Sequence, residues 1–223
     1  GYEHIAEAQR EASQKREVTD SKQAASENLN VTKLAQELNS AGLARAAQQM
    51  TAKNEMLNSA ESKEDIIRIE ADIKEHKQVS TELMTNIKNN GGDVIAGTDK
   101  FADKKVRDYE DRALAETQRL MEVSKGKPYE AEVNQLINER LNEITSKAES
   151  FTEDMRMIAR EDKGVDIEKV TATVKDLDNQ FSKDYQSMQQ EFESIINAHK
   201  EINNPKEVSN SKEDITKEIN KDE

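Results

Sequence analysis

Histidine is the scarcest residue here that could do chemistry: the chain holds only His4, His76 and His199, and no cysteine. Asp72 and His76 stand four residues apart, which puts both on one helix face at the spacing of a two-ligand metal site. A di-metal bundle centre needs Glu-x-x-His motifs projecting from facing helices, and the sequence contains none. His199, shortly before Pro205, reads as a partner for the dipole at a helix C-terminus. Without cysteine there is no disulfide, no thiolate nucleophile and no Cys-ligated zinc. The expectation is neither metal nor cofactor.

Carboxylates are abundant, and Glu139 with Glu143 and Glu149 with Glu153 lie one helical turn apart. A catalytic pair needs one member desolvated so that the two acids titrate apart; these positions read as solvated faces. Arg160 to Gly164 lacks the alternating oxygen ligands of a calcium loop. Gly91-Gly92-Asp93-Val94-Ile95-Ala96-Gly97-Thr98 runs into a helix as a phosphate cradle would, but it lacks the Gly-Lys-Ser/Thr ending and no strand precedes it. It reads as a helix connection, with Thr98 capping the next helix. Val94, Ile95 and Ala96 form the apolar cluster that falls off the helix seams. Val94 and Ile95 are therefore the candidate partner contacts, the alternative being that they fold over the bundle end. The chain is expected not to be an enzyme.

Helices must position all of these residues. Charged residues make up 35% and aromatics 4% of the 223 positions, with no Trp, and the mean hydropathy is −0.98. That is too little large apolar surface for a compact core, yet enough for thin helix seams. Sustained three-four periodicity argues against disorder. The strongest stripe runs from Asp166 to Asn203 through Ile167, Val170, Val174, Leu177, Phe181, Met188, Phe192, Ile195 and Ile202. A helix of that length spans about 55 Å and cannot bury its own stripe. A second stripe runs from Tyr129 through Val133, Leu136, Leu141, Ile144, Ala148, Phe151 and Met155 to Ile158. The expected fold is all-α, an elongated, coiled-coil-like antiparallel bundle with helices at about 63–90, 98–125, 128–163 and 166–203. Ser62 and Asp166 are the expected N-caps, and the short turns between helices force antiparallel neighbours.

Three regions follow from this pattern. Residues 1–60 form an N-terminal helical arm whose early stripe (Ile5, Ala8, Ala12) offers little burial; around 39–42 it is expected to bend rather than break. Residues 61–203 form the bundle. Residues 204–223, after the stop at Pro205, carry only Val208, Ile215 and Ile219 as apolar residues and read as a flexible acidic tail.

A net charge of −13 disfavours nucleic acid, whose binding depends on clustered cations, and disfavours anionic membranes. No apolar run approaches the roughly 20 residues needed to cross a bilayer, so no direct membrane insertion is expected. No signal segment appears, although a chain opening on Gly1 rather than Met gives that little weight. No local motif is specific enough to assign a family. The function expected is a non-enzymatic structural or protein-interaction module of a bacterial surface or secretion-associated protein, presenting a rigid helical face or tip to a protein partner. The alternative is a cytosolic coiled-coil adaptor or assembly chaperone that donates its N-terminal arm, the same arm through which the chain could form a homo-oligomer. The corresponding compartments are secreted or cell-surface, and alternatively cytoplasmic.

Overall fold

Each apolar stripe becomes a helix, and the turn residues between stripes become the breaks. The computed structural model describes residues 1–203; the tail expected over 204–223 lies outside them, with Pro205. The described residues form an all-α helical bundle: α1 (Tyr2–Leu29), α2 (Val31–Ser40), α3 (Ala44–Asn58), α4 (Lys63–Asn89), α5 (Val94–Ser124), α6 (Glu130–Ala159) and α7 (Ile167–Asn203). They contain no strand. Two compact units are present, one of residues 1–101 with 154–173 and one of residues 102–153 with 174 onward.

In the first unit, the segment expected to be one bent helix is three. Asn30 takes the left-handed conformation at φ 46°, donates its N–H to Ser26 O and accepts from Lys33 N with its side chain. It thus closes α1 and opens α2, a double use open to Asn because its short amide tolerates φ > 0 and also caps. The second break, at Ala41–Leu43, corrects the bend expected over 39–42. Gly42 sits at φ 86°, and Leu43 N–H donates to Leu38 O at 2.8 Å, a bond that closes a helix end once glycine supplies the left-handed residue. α2 then folds back on α3, while α4 packs on α1 and α3. Leu38, Leu43, Met50, Leu57, Ile73 and Leu83 are fully buried.

Two lysines bind carbonyls at helix ends in this unit. Lys77 of α4 donates to Leu29 O at 2.5 Å, and Lys22 of α1 donates to Asn58 O at 3.1 Å; cations are favoured at helix C-termini. Residues 2–17 are exposed throughout. Tyr2 and Ile5 keep 92% and 59% of their surface, so the early alanine stripe is not covered, and the first buried residue of α1 is Ala25.

In the second unit, α6 and α7 run antiparallel: Glu132 meets His199, Arg140 meets Glu191 and Lys147 meets Asp184. α5 runs parallel to α7, with Tyr109 against Phe181 and Asp184, and Glu116 against Gln189. The core at one end combines Leu120, Val123, Tyr129, Val133, Phe192 and Ile196. The expected stripe of α7 drifts there: Ile196 is buried, Ile195 is only partly covered and Ile202 is 77% exposed. A 3.6-residue helix rotates steadily against a stripe read in steps of three and four.

Candidate functional site

The glycine-rich connection is where the structure most changes the sequence reading. Helix α5 starts at Val94, four residues before the expected cap. Asp93 is the cap instead: its carboxylate accepts from Ala96 N at 3.0 Å and its carbonyl from Gly97 N at 2.8 Å. Thr98 lies one turn inside, fully buried, its hydroxyl donating to Val94 O at 2.7 Å. Starting at Asp93 lets Gly97 meet α4. A Cβ at Gly97 would overlap Ile87 Cα and stand 2.8 Å from Ile87 N, so this glycine is a contact point between two helices and not part of a phosphate loop.

Val94 and Ile95 therefore occupy the first turn of α5, and they part company. Val94 is half-buried, its Cγ2 within 3.1 Å of where a Cβ on Gly42 would stand. It covers the α2–α3 turn. Ile95 keeps 45% of its surface. On this same end of the first unit, a groove of about 750 Å³ opens between α2 and the end of α4. Ile87 and Met84 line it together with Lys33, Glu37, Lys88 and the Gly91–Gly92 turn. Lys33 and Lys88 have no ion-pair partner among the described residues.

A denser polar cluster ties α3 and α4 to the α6–α7 turn, also within the first unit. Asp166 caps α7 as expected, accepting from Glu168 N and Lys169 N at 3.0 and 3.2 Å. Gln49 donates to the same carboxylate at 2.7 Å and accepts from Ile167 N at 2.8 Å. Arg45 reaches Glu161 at 2.8 Å and Asp166 at 3.3 Å. Burial pushes Asp166 upward, but the Gln49 and backbone donors and the Arg45 charge outweigh it and hold the carboxyl below its ordinary value. Lys53 bridges Asp72 at 2.7 Å and Glu168 at 3.0 Å. Burial works against its charge, but the two acids together outweigh that and raise its pKa.

The histidines have protein partners or open water. Nδ1 of His76 lies 2.8 Å from Asp72 O, and the Asp72 carboxylate is engaged by Lys53. His199 does not cap its helix; it reaches Glu132 on α6 at 2.7 Å and packs edge-on against Tyr129. His4 is exposed. No group of three or more His, Cys, Asp or Glu among the described residues is placed to hold a metal. Glu139, Glu143, Glu149 and Glu153 are exposed, with Glu143 paired to Arg140.

In the second unit, the buried Tyr109 hydroxyl donates to Asp184 at 3.3 Å, and Lys147 holds the same carboxylate at 2.6 and 2.7 Å. Burial, then the Asp184 charge, push the Tyr109 phenol upward. The adjoining cavity is about 20 Å³, room for a single water rather than a substrate.

No family model, curated protein or solved structure matches the chain. No described helix is long and apolar enough to cross a membrane. Sequence reasoning singled out Asp72, His76, Val94 and Ile95 but missed Lys33, Arg45, Gln49 and Lys88. Those four matter through residues distant in sequence, which the pattern within a segment does not reveal.

Proposed function

We propose that this protein is a non-enzymatic interaction module that presents a helical tip to a protein partner. The observation that carries the reading is Ile95: a large apolar side chain, 45% exposed, on a capped helix turn held by Val94 against Gly42, at the groove-bearing end of the first unit. A large apolar side chain on an ordered helical turn needs no backbone ordering on binding, which suits an anchor residue. The strong polar constellations, around Asp166 and Asp184, join helices to one another and are spent on structure. A bacterial surface or secretion-associated setting suits a cysteine-free acidic bundle.

A photo-cross-linking residue at position 95 in the native cell should capture one predominant protein, and a probe at exposed Met157 should not. Equal, unselective capture at both positions would refute the tip. A second reading, a coiled-coil adaptor that donates its N-terminal arm, is supported by the uncovered surface of residues 2–17. It expects mass in solution to rise with concentration and to stop rising when residues 1–10 are removed.

A further inference from the structure

We infer that the groove between α2 and the end of α4 binds an acidic peptide segment carrying an apolar side chain, an inference that rests on reading this end of the first unit as partner-facing. Its size, about 750 Å³, lies within the roughly 300–1,000 Å³ of sites that hold several side-chain groups rather than an ion. The floor is apolar, with Ile87 almost fully buried and Met84 half-covered. The walls carry two cations, Lys33 and Lys88, against one acid, Glu37.

Acidic residues outnumber basic ones 46 to 33 in this chain. In the same unit Arg45, Lys53, Lys63, Lys77 and Lys169 are engaged by carboxylates or carbonyls. Lys33 and Lys88 differ from these in having no such partner among the described residues while flanking an apolar surface. A ligand that brings its own carboxylates and an apolar side chain satisfies both features at once; a basic ligand would meet two like charges. Like charges at an interface select against the wrong partner more strongly than matched charges add affinity.

The test titrates the isotope-labelled full chain with two synthetic hexapeptides, Asp-Glu-Leu-Phe-Asp-Glu and Lys-Lys-Leu-Phe-Lys-Lys, both capped at their termini. The acidic peptide should shift the NMR signals of Ala41, Met84 and Ile87, and the basic one should not. Reversing both charges (Lys33→Glu with Lys88→Glu) should weaken acidic-peptide binding about tenfold. Both positions are exposed, so the fold should survive and the remaining spectrum should stay in place. Groove shifts of equal size with the basic peptide, or none with the acidic peptide at millimolar concentration, would overturn the inference. A protein captured at position 95 alongside either result would leave the tip reading standing while removing this one.

Discussion

Arg45 Nη2 lies 3.3 Å from Asp166 Oδ2, so the helix that follows the Gly42 turn is bound to the cap of α7. The two side chains are 27% and 10% exposed, which shelters the pair more than an ordinary surface contact. Asp166 does two things at once, capping α7 and receiving Arg45 and Gln49. Asp166→Ala should therefore cost about 1–3 kcal/mol in urea unfolding, the sum of a lost cap and stranded partners. Asp166→Asn keeps a capping oxygen while losing the charge, and should recover part of that loss. Equal losses for the two variants would show that the cap contributes nothing.

Three carboxylates of this unit share the same direction of shift. Asp99 is held low by Arg160, Glu161 by Lys169 and Arg45, and Asp166 by the donors described above. A carboxyl with a lowered folded-state pKa binds fewer protons folded than unfolded, so it stabilises above its ordinary value and the benefit is lost as the pH falls through the folded value. The ordinary values are 3.8 for the aspartates and 4.5 for Glu161. Stability should be flat from pH 7 to about 5 and fall below about pH 4. Lys53 works in the opposite sense: its raised pKa stabilises below 10.5 and the contribution disappears as pH rises through the folded value. Urea unfolding across this range, with Arg45→Met expected to flatten the acid limb, checks the assignment.

Helix existence was legible because burial in a bundle follows the helical period, and the stripes of Tyr129–Ile158 and Ile167–Phe192 are buried almost position for position. Helix ends were harder, since several residues compete to terminate a segment. Asn30 gave no sequence signal beyond its type, and the cap expected at Thr98 is taken by Asp93, which lets Gly97 face Ile87. The candidate site was half legible. Val94 and Ile95 stood out as apolar residues away from any seam, but which of them faces solvent depends on Gly42, and the groove depends on α2 meeting the end of α4. Periodicity within a segment carries no information about such meetings.

Gly97 separates helix propensity from packing. Inside a helix, alanine is favoured over glycine by about 1 kcal/mol, which would make Gly97→Ala stabilising if the site were open. The added methyl would instead press on Ile87 Cα, a backbone atom that cannot swing away. Overpacking of this kind costs about 1–3 kcal/mol, so the variant should melt lower than the parent. Gly91→Ala is the contrast: its surroundings are open, but φ is 70°, and the left-handed backbone alone should cost about 1 kcal/mol. Gly97→Ala, which presses on Ile87 directly, should move the NMR signals of Ile87 further than Gly91→Ala does.

Val94 and Ile95 give the sharpest separation of structural from functional roles, because they are adjacent and differ in burial. Val94 packs over Gly42, so Val94→Ser removes part of a covered side chain and should lower stability by about 1 kcal/mol. Ile95→Ser trims an exposed side chain and should stay within about 0.5 kcal/mol of the parent. Binding should respond the other way, with Ile95→Ser losing the partner and Val94→Ser keeping it at temperatures where the variant remains folded. Thermal melts and cross-linking yield on the same two proteins decide the matter. A destabilised Ile95→Ser that still captures its partner would place Ile95 in the packing of the bundle end and remove it from the interface.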